Sequence, residues 1–75
     1  MNVFEIEDII RDNINKKALI NLFVEKEKPI ISFNTEACNR IFITDGTLLL
    51  ESEMYKDVVI VNLRAIERIV VHELD

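Results

Sequence analysis

Apolar and polar positions repeat with two different periods along this chain, and the change of period separates a short helical start from a longer β region. Val3, Ile6, Ile10 and Ile14 recur at helical spacing with Ile9 beside them, while Glu5, Glu7, Asp8, Arg11 and Asp12 take the remaining positions. That spacing predicts an amphipathic helix whose charged residues share a solvated face. Its acids come early and Lys16-Lys17 come late, the order that complements a helix dipole, and Asn15 marks the stop.

Ala18 to Lys28, ALINLFVEKEK, admits two readings. Leu19, Ile20, Leu22, Phe23 and Val24 fit one side of a helix, yet the same β-branched and aromatic content suits a strand. The charged run Glu25-Lys26-Glu27-Lys28, closed by Pro29, resembles a solvated helix end and tilts the reading of residues 19–28 toward helix. Ile30 to Phe33 then reads as a short strand, with the proline just before it, where a missing N–H is tolerated.

Arg40 to Glu53 carries the clearest hairpin signal. Asp45-Gly46 lies between Ile41-Phe42-Ile43-Thr44 and Thr47-Leu48-Leu49-Leu50, and Asp-Gly suits the positive φ angles of a two-residue type I′ turn. Glu51 to Asp57 is a polar connection. After it, VVIVNLRAIERIVV predicts a strand over Val58 to Leu63, a tight break, and a last strand near Glu67 to His72. The first of these is apolar at almost every position, so both of its faces need cover. In a chain of 75 residues that cover comes from a closed barrel or from a neighbouring subunit. The expected fold is therefore mostly β, of α+β class, with residues 1–75 forming one domain: an N-terminal helix and a bent antiparallel sheet of about five strands.

Composition narrows the function more than it defines it. With 49% hydrophobic and 31% charged residues the chain has the profile of an ordered globular domain rather than a disordered one. Its apolar runs are far shorter than the ~20 residues that span a bilayer. The early acids do not resemble a secretory signal, so the expected compartment is the cytoplasm, with no membrane partner. A net charge of −5 argues against a generic phosphate-binding surface, which depends on clustered Lys and Arg, while leaving room for a small basic site.

Catalytic signatures are missing from the sequence. One cysteine, Cys38, excludes an internal disulfide and reads as a buried or half-buried free thiol. One histidine, His72, reads as a half-exposed residue of the last strand. Zinc would need several Cys or His ligands at set spacing, and Glu51 with Glu53 makes only a weak hard-cation pair. The single glycine cannot build a phosphate-cradling loop. Neither an enzyme nor a cofactor or metal is expected. The aromatic residues Phe4, Phe23, Phe33, Phe42 and Tyr55 are scattered singly, as core and rim residues are, rather than grouped as a base-stacking platform.

Three stretches nevertheless carry a resemblance. With residues 19–28 helical, LINLFVEKEKPIISF is similar to the helix, charged run and first strand of the Sm-like superfamily, closest to its bacterial Hfq branch. Asp45 followed by Leu48-Leu49-Leu50 resembles the aspartate and apolar strand of the first Sm motif, and Leu63-Arg64-Ala65-Ile66 with Ile69 and Val70 resembles the Lys-His-Ala-Ile element that joins the last two strands. The likeness runs over residues 19–71 and implies a five-stranded Sm-like barrel assembled into a ring. It implies an RNA-contacting pore turn at Arg64 with Asn62, Asp45 and Thr47, and subunit contacts through Val59, Val61, Leu63, Ile69 and Val71. Three departures qualify the site: Leu63 stands in place of the family's lysine, Thr47 in place of its base-stacking aromatic, and Asn34 to Asn39 lacks its glycine. The expectation is thus a homo-oligomeric ring with weak or selective single-stranded RNA binding. The alternative is an acidic, non-enzymatic assembly module that recognises a basic protein partner without RNA.

Overall fold

The computed structural model describes residues 1–25 and 27–74. Helix α1 spans Val3–Ile14, begun by Asn2, whose side chain accepts a hydrogen bond from the Glu5 N–H, and ended at Asn15. Six strands follow: β1 (Ala18–Phe23), β2 (Ile31–Asn34), β3 (Cys38–Thr44), β4 (Thr47–Ser52), β5 (Val59–Asn62) and β6 (Arg68–Glu73). Two 3-10 turns interrupt them, η1 at Thr35–Ala37 and η2 at Leu63–Ala65. The strands form two antiparallel three-stranded sheets, ordered β2-β1-β6 and β3-β4-β5.

This corrects the expected five-stranded closed barrel. The extra strand is β1, in the stretch where the residue pattern tilts toward a helix over 19–28. Ala18, Ile20 and Leu22 are buried while Leu19, Asn21 and Phe23 are partly exposed, a period of two rather than 3.6. Tertiary pairing decides the matter: β1 is the central strand, with Ile20 opposite Phe33 on one side and Val71 on the other. As a helix the segment would leave both β2 and β6 without ladder partners, and buried backbone groups need partners. Of the charged run, Lys26 lies outside the described residues; Glu25, Glu27 and Lys28 lie in a bent connection that returns to the sheet through Ile30 N–H donating to the Leu22 carbonyl at 2.7 Å.

Among the described residues no ladder joins the two sheets, so they do not close into a barrel: β2 and β6 edge the first sheet, β3 and β5 the second. At the other side η1 turns the chain sharply from the first sheet into the second. Asn34 caps that turn, accepting from the Glu36 N–H, and Thr35 ties it to the start of β1 by donating to the Lys16 carbonyl at 2.6 Å and accepting from the Ala18 N–H. These side-chain hydrogen bonds tie the bend to the start of β1.

The core lies between the two sheets and α1. Ile6 and Ile10 from the helix meet Ala18, Ile20, Leu22, Phe33, Leu48, Leu50, Val61, Leu63 and Ile66. One expectation for the helix fails: Glu7, assigned above to the solvated face, is only 5% exposed. No helix of the described residues is long and apolar enough to cross a membrane.

Candidate functional site

The residues expected to contact RNA converge on one corner of the molecule, where the β3-β4 hairpin tip meets η2. The hairpin turns as its Asp-Gly sequence dictates, with φ of 46° at Asp45 and 75° at Gly46. Glycine takes that left-handed region without cost and aspartate tolerates it, whereas most residues do not. Thr47 opens β4 and lies in register with Asn62, the last residue of β5. Asn62 caps η2, its side-chain oxygen accepting from the Arg64 N–H at 3.1 Å. Adjacent polar residues at the ends of two paired strands therefore place Asn62, Thr47, Asp45 and Arg64 together.

The two turns are fastened to each other. Leu63 N–H donates to the Gly46 carbonyl at 2.8 Å. Arg64 Nη1 donates to the Asp45 carbonyl at 2.9 Å, and its Nη2 reaches Asp45 Oδ1 at 3.3 Å. Arg64 remains 55% and Asp45 95% exposed at the side chain, so the pair is solvated and contributes little to folding. Its geometry matters more than its strength, because it holds the guanidinium across the turn.

Beneath the turn lies a contact that local patterning does not announce. Glu7 of α1 accepts a buried hydrogen bond from the Gly46 N–H at 2.9 Å, so the helix, hairpin tip and η2 form one connected corner. A signal for it existed: Val3, Glu7, Ile10 and Ile14 follow one stripe of the helix at spacings of four, three and four. Gly46 serves the corner in a second way, since a Cβ built on it would overlap the Arg64 guanidinium. Gly46→Ala should lower stability by about 1–2 kcal/mol through its positive φ, and should push Arg64 off Asp45. Thermal unfolding and the Arg64 side-chain NMR signals check both; an unchanged melting temperature would count against the strain.

The proposed subunit contacts fare differently. Val61 and Leu63 are buried in their own chain, and Val59, Ile69 and Val71 pack against the same core. These side chains face inward because β5 and β6 present alternate residues to the two faces, and the inward set is needed to close a small core. The Val61 and Leu63 side chains are accordingly covered within the chain itself. The outward side is exposed instead: Val58 just before β5, and Ile60 within it at 67%. Ile60 is in register with Leu49 and Leu49 with Phe42, which makes an apolar row across the outer face of the second sheet.

Other chemistry is sparse. Arg68 stacks over the Phe23 ring at 4.0 Å, and Arg40 lies over Phe42 at 5.4 Å while pairing with Glu51 at 3.9 Å. Burial pushes the half-buried Cys38 thiol above its ordinary value, which disfavours the nucleophilic thiolate at neutral pH. His72 is exposed in β6. Among the described residues no three His, Cys, Asp or Glu side chains are placed to hold a metal ion. No protein-family model, curated protein or solved structure matches this chain.

Proposed function

We propose that this chain is a non-enzymatic subunit of an Sm-like ring that binds single-stranded RNA, weakly or selectively, at the η2 turn. The observation that carries the reading is the corner itself, where Asn62, Arg64, Asp45 and Thr47 meet at the junction of a hairpin tip and a 3-10 turn. The path of the strands supports it as well. If β2, η1 and β3 are taken as one bent ribbon, the six strands trace a five-strand course in which η2 joins the last two.

Assembly in this reading runs through the free edges. β5 and β6 each end their sheet, so each offers unpaired N–H and C=O groups to another chain. Joining β5 of one copy to β6 of the next is a head-to-tail contact, and such contacts form a ring when the rotation closes. Val58 and Ile60 are the apolar side chains this edge adds to the main-chain bonds.

The test combines native mass with RNA retention over a salt series. A ring should have several times the 8.8 kDa of one chain, and its RNA affinity should fall with salt at a log–log slope of about −0.7 for each phosphate contacted on a single strand. Arg64→Ala should weaken binding and flatten the slope at unchanged mass. A monomer at micromolar concentration would sink the ring.

The second reading, an acidic assembly module that recognises a basic protein partner, gains from one observation. Arg64 already faces a carboxylate, in a chain of net charge −5. An oligomer that retains no RNA even at low salt would favour it.

A further inference from the structure

The contact between Asp45 and Arg64 bears on how the η2 turn meets its ligand, and the inference drawn from it rests on the RNA-binding reading above. Nη2 of Arg64 faces Asp45 Oδ1 at 3.3 Å while Nη1 is held by the Asp45 carbonyl at 2.9 Å. A carboxylate oxygen and a phosphate oxygen make the same demand on a guanidinium: an anionic acceptor in the plane of its N–H fork. Asp45 therefore occupies part of the fork that a phosphate would use. It also brings one negative charge for the one positive charge of Arg64, so repeating the turn around a ring multiplies a neutral pair rather than a cation.

We propose that Asp45 is a built-in competitor for Arg64, a carboxylate that must yield its place on the guanidinium before an RNA phosphate can take it. The arrangement suits exchange. Asp45 is 95% exposed at the side chain, so its carboxylate is fully hydrated on release, and the carbonyl contact to Nη1 keeps Arg64 over Gly46 while Nη2 changes partner. Three features thus act together: the left-handed Asp45 backbone aims the carbonyl, Gly46 leaves room for the guanidinium, and the Asp45 side chain lowers its affinity for phosphate. The consequence is selectivity. Weak, non-specific polyanion binding is suppressed, and a ligand must add base or sugar contacts at Asn62 or Thr47 to compete.

Asp45→Asn is the informative substitution, because asparagine also accepts the left-handed conformation and leaves the carbonyl contact in place. Single-stranded oligouridylate binding is measured for the wild type, Asp45→Asn, Arg64→Ala and the double variant, each across a salt series. The affinity should rise about two- to five-fold per Arg64 engaged in Asp45→Asn, the range that an exposed ion pair can withhold, with a steeper salt slope. In the Arg64→Ala background the same change should have little effect, which separates competition at Arg64 from the loss of one acid in general. Tighter binding only when Arg64 is present supports the competitor, including the case where the wild type alone fails to bind. If the wild type binds and Asp45→Asn binds no better, or gains equally without Arg64, the competitor is overturned and the RNA-binding reading stands. If none of the four proteins retains the oligonucleotide at low salt, both are overturned.

Discussion

Leu63→Ala is expected to remove about 3 kcal/mol of folding free energy, whereas Ile60→Ala should change it by less than about 0.5 kcal/mol in the isolated chain. The two residues belong to one apolar run, and composition does not distinguish them. Leu63 is 0% exposed at the head of η2, packed in the core with residues of the helix and both sheets, while Ile60 is 67% exposed on the outer face of β5. Truncating Leu63 forfeits its transfer free energy and leaves a cavity; truncating Ile60 uncovers nothing. A domain of this length has about 5–10 kcal/mol in total, so the first change removes a third or more of it. Urea unfolding should register it as a midpoint lower by roughly 1–3 M. Equal midpoints for the two variants would mean that the faces of β5 have been assigned the wrong way round. Native mass gives the complementary readout, because Ile60→Lys should disturb a β5-edge assembly while leaving the fold of each subunit intact.

Glu7→Ala should cost about 2 kcal/mol although it replaces a charged helix residue with the best helix former. The carboxylate is buried and accepts from the Gly46 N–H, so the alanine leaves that donor without a partner inside the protein. For a domain of 60–100 residues this lowers the melting temperature by roughly 8–16 °C. Glu7→Gln keeps an acceptor oxygen at the same reach and should recover most of the loss. Hydrogen exchange at the Gly46 amide localises the effect, since its protection should drop in the alanine variant and return in the glutamine one. If alanine and wild type melt together, the helix is not pinned to the hairpin by this bond. The corner that carries Arg64 would then depend on the bond from Leu63 N–H to the Gly46 carbonyl and on the Arg64 contacts to Asp45.

Some of this protein was legible in its residues because the decisive forces are local. The Val3 to Ile14 periodicity and the Asn15 stop describe α1 as it is found, since both depend on spacing and backbone preference within a few residues. Asp45-Gly46 specified its own turn, because few other pairs take two successive positive φ angles cheaply. A tight break between the last two strands was visible for a similar reason, charged residues between two β-branched runs, though it begins at Leu63, which the pattern assigned to the strand. The cluster of Asn62, Thr47, Asp45 and Arg64 was reached by resemblance, and its geometry then follows from strand register.

What remained depended on partners distant in the chain. Residues 18–23 have no local preference strong enough to choose between helix and strand; β2 and β6, docking on either side, supply the hydrogen bonds that make a strand the lower-energy choice. The inward face of β5 could not be read from a run that is apolar throughout, and it was decided by which face meets Ile6, Ile10 and the first sheet. Glu7 looked like one more solvated acid until the fold brought Gly46, 39 residues away, within 2.9 Å of it. Whether the sheet closes is likewise beyond local pattern: β5 and β6 are good strands by sequence, yet they pair with β4 and β1 and not with each other. Short-range periodicity thus determined α1 and the hairpin, while long-range hydrogen bonding and burial made residues 18–23 a strand and chose the sides and partners of the elements, because those terms exist only once distant residues meet.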